Sequence, residues 1–98
     1  MLVHVVLFTL ERPEDAAPLA DRIRGMAGRI PSLRSLSVGV EVLPEPRSAH
    51  LALVTTFDDA DGLAAYAQHP VHQDVLTHVR AAGARALKVD YLDAAFPG

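Results

Sequence analysis

The chain has 98 residues, half of them apolar, with no cysteine and a formal net charge of −3 at neutral pH. This length and composition are typical of a single globular domain with one small core, and we expect residues 1–98 to form it. The sequence excludes disulfides, thiolate nucleophiles and cysteine-based zinc sites, and it lacks the clustered cations that a nucleic-acid partner requires.

The chain opens with an apolar, largely β-branched segment over residues 2–10, which predicts a strand buried on both faces. The segment is too short to cross a membrane, and the charged residues Glu11 and Arg12 follow it at once. It is not built like a secretion signal. We therefore expect a cytoplasmic protein that does not act at a membrane.

A helix is predicted over residues 16–30 from apolar residues at helical spacing. These residues are Leu19, Ile23, Met26 and Ile30. Pro18 is compatible with a helix only in the first turn, so the helix cannot begin much earlier than residue 16. Gly25 and Gly28 each cost about 1 kcal/mol relative to alanine inside a helix and weaken the prediction there.

Two strands are predicted next, separated by a proline-rich loop at 44–48. In the first, over 36–42, apolar residues alternate with small or polar ones, which is the pattern of a half-buried strand. The second covers 49–57. It alternates two sets of side chains, with Leu51, Leu53 and Phe57 on one face and Ala52 and Val54 on the other.

The second half of the chain predicts a broken helix and a last strand. Asp58 is expected to cap a helix that contains Tyr66, and Pro70 is well placed to end it and to begin another. Gly83 closes that second helix, and the last strand covers 84–92. The strand places Leu87, Val89 and Tyr91 on one face and Lys88, Asp90 and Leu92 on the other.

The predicted order is β-α-β-β-α-β, with the second helical stretch split at Pro70. This order is that of a ferredoxin-like α+β protomer, in which both helices cover one face of a four-stranded antiparallel sheet. The other face of such a sheet is bare. The sequence therefore predicts one sheet face that the chain's own helices do not cover.

We expect this open sheet face to be apolar and to carry Val6, Phe8 and Val54, with His4 and Asp90 among them. An apolar patch of several hundred Å² usually marks an interface or a ligand site. The interpretation that we favour is a homodimer formed through the open face. The alternative is a partly apolar face left in water, which antiparallel sheets tolerate.

The segment 66–72, which reads Tyr-Ala-Gln-His-Pro-Val-His, combines groups suited to proton transfer. An imidazole can remove a proton near neutral pH while Tyr66 donates a hydrogen bond to a developing oxyanion. His69 and His72 have a spacing that would suit a metal, but Pro70 disfavours helical backbone at His69, and we predict no metal. The purely structural alternative is that His69 ends one helix, Pro70 begins the next and Tyr66 lies in the core.

His4 and Asp90 are polar residues in otherwise apolar strands. A buried carboxylate is costly unless it is paired, and an imidazole is a natural partner. If Asp90 and His72 face one cavity, Asp90 could orient His72 and raise its basicity, as in hydrolase triads. Otherwise Asp90 lies at a solvated edge or stabilises a dimer, and His4 is a hydrogen-bonded core residue.

Five parts of the chain together resemble the stress-responsive A/B barrel domain (Dabb) family. They are residues 3–8, 31–39, 56–57, 66–72 and 89–91, in the expected order and spacing. The Tyr-x-x-His-Pro-x-His element is the most specific of them. The resemblance implies a ferredoxin-like protomer whose sheet packs against that of a second copy, which gives a dimeric α+β barrel.

The resemblance also implies a candidate activity. Many members of the family have no assigned activity, but a plant member closes a linear poly-β-keto chain by an aldol step without a cofactor. Its catalytic tyrosine and histidine match Tyr66 and His72, and two further polar residues match His4 and Asp90. The plant cavity is more aromatic than this chain allows, since the sequence has no tryptophan and three phenylalanines.

The chemistry of these residues and the resemblance to the family together predict a site. The catalytic residues would be His72 as general base, Tyr66 as oxyanion donor and Asp90, and the substrate-binding residues would be His4, His69 and Phe8. The ligand would be a small apolar or polyketide-like molecule, with no cofactor and no metal. Two alternatives stay open: a non-catalytic stress-responsive or ligand-binding dimer, and a cofactor-free monooxygenase of the wider barrel superfamily.

Overall fold

A computed structural model describes residues 1–94, which form one antiparallel sheet covered by helices on one face. The elements are β1 (Leu2–Thr9), a short 3-10 turn (Pro13–Asp15), α1 (Ala16–Arg24), β2 (Ser35–Val40), β3 (Leu51–Phe57), α2 (Ala60–Gln68), α3 (Pro70–Ala81) and β4 (Arg85–Leu92). The strand order is β2-β3-β1-β4. The predicted ferredoxin-like α+β fold is confirmed, with strand ends within two residues of the expected bounds. No helix in this part of the chain is long and apolar enough to cross a membrane.

The helix-covered face of the sheet is identified by the buried residues of β1. Leu2, Val6 and Phe8 belong to the core together with residues of α1 and α3. Because side chains alternate along a strand, His4 lies on this same face. In the antiparallel pairing of β1 with β4, His4 lies opposite Asp90, so both polar residues point to the helix side of the sheet.

The prediction that the open face carries Val6, Phe8, His4 and Asp90 is therefore wrong, because all four lie on the helix-covered face. The prediction that it carries Val54 is confirmed. The apolar side chains of the open face include Val5, Leu7, Val54, Leu87, Val89 and Tyr91. The outermost of these are strongly exposed, Leu87 at 75% and Val89 at 54%. The expectation of a bare apolar sheet face is confirmed, although most of its residues differ from those predicted.

The first helix is shorter than predicted. It ends at Arg24 instead of continuing to Ile30, with Gly25 as its C-terminal cap. Gly28 has a φ of 78°, a left-handed conformation that a helix cannot contain and that glycine adopts at little cost. Met26 and Ile30 are nevertheless buried, at 1% and 3% exposure, because the turns that follow α1 fold back onto the core.

The cap of α2 is Asp59, not Asp58 as predicted. The Asp59 side chain accepts a hydrogen bond from the Gly62 amide at 2.9 Å. Asp58 instead accepts two hydrogen bonds from the guanidinium of Arg34, at 3.1 and 2.8 Å. Asp58 and Asp59 are adjacent and both are typical N-cap residues, so the sequence did not distinguish them. Arg34 lies too far from Asp58 in the chain for the local sequence to reveal their contact.

Candidate active site

Three aromatic rings meet where β3, α2 and α3 converge on the helix side of the sheet. The centroid of the Tyr66 ring, near the end of α2, lies 5.0 Å from that of Phe57 at the end of β3. On its other side Tyr66 lies 4.4 Å from the imidazole of His72, in the first turn of α3. Tyr66 is 2% exposed and His72 is half-buried, so the ring of Tyr66 separates His72 from the core.

The tautomer of His72 is fixed by the backbone. Its Nδ1 lies 2.9 Å from the carbonyl oxygen of Ala67, and because a carbonyl only accepts, Nδ1 must carry the hydrogen. When the ring is neutral, its Nε2 therefore holds a free lone pair. Burial lowers the pKa of His72, the bond to Ala67 partly opposes this, and the charges of His4 and Arg80 lower the pKa further. His72 is thus a neutral imidazole with an available Nε2 at neutral pH.

The Ala67 carbonyl is available because of the break between α2 and α3. In a continuous helix it would accept from the amide of residue 71. Here the Val71 amide donates to Nδ1 of His69 at 3.1 Å instead. The Ala67 oxygen then accepts from the side chains of His72 and of Gln73, the latter at 2.7 Å. The Tyr-x-x-His-Pro-x-His element therefore creates the acceptor that orients its own last histidine.

Burial raises the pKa of Tyr66 to about 12. The hydroxyl consequently stays protonated throughout the neutral range and can serve as a hydrogen-bond donor but not as a base. A donor that stays in place in a poorly hydrated position suits the stabilisation of negative charge on a substrate oxygen.

A second polar group lies on the same side of the sheet. The Nδ1 of His4 donates to Oδ1 of Asp90, and Nζ of Lys88 donates to Oδ2 at 2.5 Å. The bond from Lys88, more than that from His4, holds the pKa of Asp90 below its usual range. The His4 and Asp90 side chains are 16% and 21% exposed, so this group is reached from solvent.

The structure changes the expected role of Asp90. The sequence suggested that Asp90 orients His72, but its two oxygens bind His4 and Lys88, and the Ala67 carbonyl orients His72. The sequence did not predict that Lys88 binds Asp90 or that Ala67 orients His72. Lys88 was detectable, because residues two apart on a strand share a face. The role of Ala67 depends on the exact geometry of the helix break and left no signal in the sequence.

His69 and Phe8 do not join the cluster. His69 caps α3 through its side chain, and its amide donates to the Tyr66 carbonyl at 3.1 Å, so it links the two helices much as the structural alternative proposed. Phe8 is a core residue, 6% exposed, about 13 Å along β1 from His4 at roughly 3.3 Å per residue. Among residues 1–94, no three histidine or carboxylate side chains are grouped so that they could hold a metal ion.

A groove of about 330 Å³ lies between α1 and α3, and it is separate from this cluster. Its walls include Arg22, Arg29 and His78 over an apolar floor. Tyr66, His72 and His4 do not line it. The side chains of His4, Asp90 and His72 are partly exposed, so solvent reaches these polar groups directly and not through the groove.

The sequence of this chain matches the family model for the stress responsive A/B barrel domain over residues 2–93. An uncharacterized protein of Streptomyces coelicolor is 32% identical over 79 residues, which covers 74% of this chain and 80% of that protein.

Similar solved structures share the fold over nearly the whole chain. A protein of Arabidopsis thaliana is 20% identical, with a TM-score of 0.79 and 98% of each chain covered. A dimeric ferredoxin-like protein of unknown function from Jannaschia is 26% identical, with a TM-score of 0.75, covering 94% of this chain and 98% of the other. A cofactor-independent oxygenase of Streptomyces nogalater is 13% identical, with a TM-score of 0.73 and coverage of 98% and 95%.

Proposed function

This chain belongs to the stress responsive A/B barrel domain family, and from that membership and the geometry of the cluster we propose that it is a cofactor-independent acid–base enzyme. In this proposal His72 removes a proton from a carbon next to a carbonyl group, and Tyr66 donates a hydrogen bond to the enolate oxygen that forms. The observation that carries the proposal is the hydrogen bond from Nδ1 of His72 to the Ala67 carbonyl, which leaves Nε2 as a base.

The environment of His72 supports this role in both protonation states. Its lowered pKa keeps the imidazole neutral, and therefore able to accept a proton, at neutral pH. Once Nε2 has taken the proton, the Ala67 oxygen still accepts from Nδ1 and stabilises the imidazolium. The substrate class is a small apolar molecule with acidic carbon–hydrogen bonds, such as a linear poly-β-ketone.

The environment of Tyr66 supports its role as the oxyanion donor. Its phenol stays protonated, with a pKa of about 12, and its ring is held between Phe57 and His72. A donor already in place next to the base loses little energy in reorganisation when the enolate forms.

Replacing Tyr66 with phenylalanine tests the proposal. The probe is heptane-2,4,6-trione, whose C1 methyl carbon can attack the C6 carbonyl to give 3,5-dihydroxytoluene after loss of water. We expect Tyr66→Phe to lower kcat by about 10²- to 10³-fold, the usual cost of losing one oxyanion donor. The reaction is followed by the absorbance of the aromatic product.

The ring of Tyr66 remains in this variant, so its denaturation midpoint should stay close to that of the wild type, and this serves as the control for folding. Turnover equal to that of the wild type would remove Tyr66 from the mechanism. An absence of turnover in the wild-type protein itself would favour the non-catalytic, ligand-binding alternative.

The assembly proposed for the protein is a homodimer through the open sheet face. The apolar side chains of that face are the support, with Leu87, Val89 and Tyr91 exposed at 75%, 54% and 43%. A second copy of the same face would remove them from water. His72 and His4 lie on the opposite side of the sheet, so the interface and the site use different surfaces of the protomer.

A further inference from the structure

The open sheet face carries large side chains along one edge strand and small ones along the other. On β4 the residues that point to this face are Leu87, Val89 and Tyr91, and on β2 they include Ser37 and Gly39. Packed sheets interdigitate at nearly the density of an organic crystal. A face with large side chains on one edge and small ones on the other therefore fits its own copy in some arrangements and not in others.

The strand register arranges these side chains in rows that cross the sheet. Gly39, Ala52, Leu7 and Leu87 form one row. Ser37 and Val89 are the two ends of the next row. A third row ends at Arg85 on β4 and at Glu41, which continues the pairing of β2 with β3 through a bond from its amide to the His50 carbonyl at 2.9 Å. The row of Val3 and Thr56 is already fully buried in one protomer, so a partner adds most at these three rows.

A hollow of about 420 Å³ lies at the small end of the first row. Gly39 and Ala52 line it together with Leu7 and Glu41. No atom lies within 4 Å of the position that a Cβ on Gly39 would take, so a large side chain can enter this space from outside. The same row therefore has a recess at one edge of the sheet and, at the other, the projecting side chain of Leu87, which is 75% exposed.

We propose that two copies of the chain join about an axis parallel to the strands, so that β4 of each protomer packs on β2 and β3 of its partner. This inference rests on the proposed homodimer, to which it adds the arrangement of the two sheets. A two-fold rotation about such an axis exchanges the two edges of the sheet and leaves each row at its own height along the strands. Leu87 then enters the hollow at the partner's Gly39, and Val89 lies over the partner's Ser37.

The charges at the two edges support the same arrangement. Glu41 and Arg85 make no ion pair with residues 1–94. They lie on opposite edges of one protomer, three strand spacings or about 14 Å apart, which is too far for a salt bridge. The Leu43 amide donates to the Glu41 carboxylate at 2.8 Å and lowers its pKa, so the group is charged at neutral pH.

The proposed axis brings Arg85 opposite the partner's Glu41, and symmetry gives the dimer two such pairs. Packed sheets cross at about 30°, which displaces an edge strand by about 4 Å relative to the facing row. The long side chain of arginine spans a displacement of this size.

The rival two-fold arrangement has its axis across the strands. It places β4 on the partner's β4 and β2 on the partner's β2. The large side chains of β4 would then meet one another, while Ser37 and Gly39 of the two copies would leave a void whose lining atoms lose their contacts. Glu41 would have no cation opposite it, because β2 presents only small and acidic residues on this face.

Exchanging a large and a small residue distinguishes the two arrangements. Gly39→Leu fills the hollow of each copy, so we expect the dissociation constant of the dimer, from sedimentation equilibrium, to rise by about 10²-fold or more. The double variant Gly39→Leu/Leu87→Ala restores the space and should return to within about tenfold of the wild type. Ala64→Leu, on an exposed position of α2, is the matched control and should not change the dissociation constant.

Exchanging the two charges gives a second measurement that does not depend on the hollow. Glu41→Arg and Arg85→Glu each place like charges opposite one another at two points of the dimer, so each should weaken it by about tenfold at low salt. The double variant Glu41→Arg/Arg85→Glu restores both pairs with their signs exchanged and should recover most of this loss.

A Gly39→Leu protein that dimerises as tightly as the wild type, or more tightly, would overturn the inference, because the rival arrangement gains when its void is filled. A loss that Leu87→Ala does not reverse would also overturn it. If Gly39→Leu does not fold, the charge exchange decides, and a double variant as weak as the single ones overturns the inference. Failure of the proposed homodimer is recognised separately, since the wild type would then sediment as a monomer.

Discussion

Replacement of His72 with glutamine is expected to slow ring closure of heptane-2,4,6-trione by about 10²- to 10⁴-fold, the usual contribution of a general base. Glutamine can still donate a hydrogen bond towards the Ala67 carbonyl, which keeps the turn between α2 and α3, but it cannot accept a proton. The rate at which the terminal methyl protons of the trione exchange in D₂O and the rate of ring closure should therefore fall together. The measurement is kcat/KM for closure at neutral pH, where the lowered pKa of His72 keeps the wild-type imidazole neutral.

Another histidine of α3 supplies the control for this variant. His78→Gln changes an imidazole of the same helix that lines the groove facing α1, so its kcat/KM should equal that of the wild type. A His72→Gln protein with the stability of the wild type and undiminished closure would show that His72 is not the base. The site would then have to be sought elsewhere on the helix side of the sheet.

Replacement of Val89 with aspartate is expected to convert the proposed homodimer to monomers. Val89 lies on the open face between Leu87 and Tyr91, beside Val5 in the register of β1 with β4. In a two-fold assembly the change would bury two like-charged carboxylates without partners, each at a cost of several kcal/mol. The dimer should weaken by roughly 10³-fold or more, which sedimentation equilibrium at micromolar concentration would detect.

Ala64→Asp places the same charge on an exposed position of α2 and is the matched control. It should remain dimeric. A wild-type protein that sediments as a monomer, or a Val89→Asp protein that stays dimeric, would contradict assembly through the open face. Because Tyr66 and His72 lie on the helix side of the sheet, the tautomer of His72 should be the same in the monomeric variant.

The order of elements could be read from the sequence because Pro70, Gly83 and the alternation in β3 and β4 are local signals. The side of the sheet that each residue of β1 faces could not be read from the sequence. β1 is apolar at nearly every position, so alternation does not reveal which set of side chains faces the helices. The packing of Leu2, Val6 and Phe8 in one core with the helix residues decides it, and the pairing of His4 with Asp90 places Asp90 on the same side.

The candidate site was partly accessible to sequence reasoning. Tyr66 and His72 do lie together, because a helix break of fixed length brings them into contact. The sequence left both His4 and His72 open as partners of Asp90, and the structure places His4 there because of the strand register. The groups that select the tautomers, the Ala67 carbonyl and the Asp90 carboxylate, follow from geometry that no local pattern records.

The state of Nε2 in His72 is most directly decided by long-range ¹H–¹⁵N correlation NMR of the ¹⁵N-labelled protein at neutral pH. The hydrogen bond to Ala67 predicts a neutral ring with a protonated Nδ1 and an unprotonated Nε2. Burial lowers the pKa of His72, so Nε2 should take up its proton at a lower pH than an ordinary histidine does. A ring with its hydrogen on Nε2, or one already charged at neutral pH, would leave no base at this site and would contradict the proposed function.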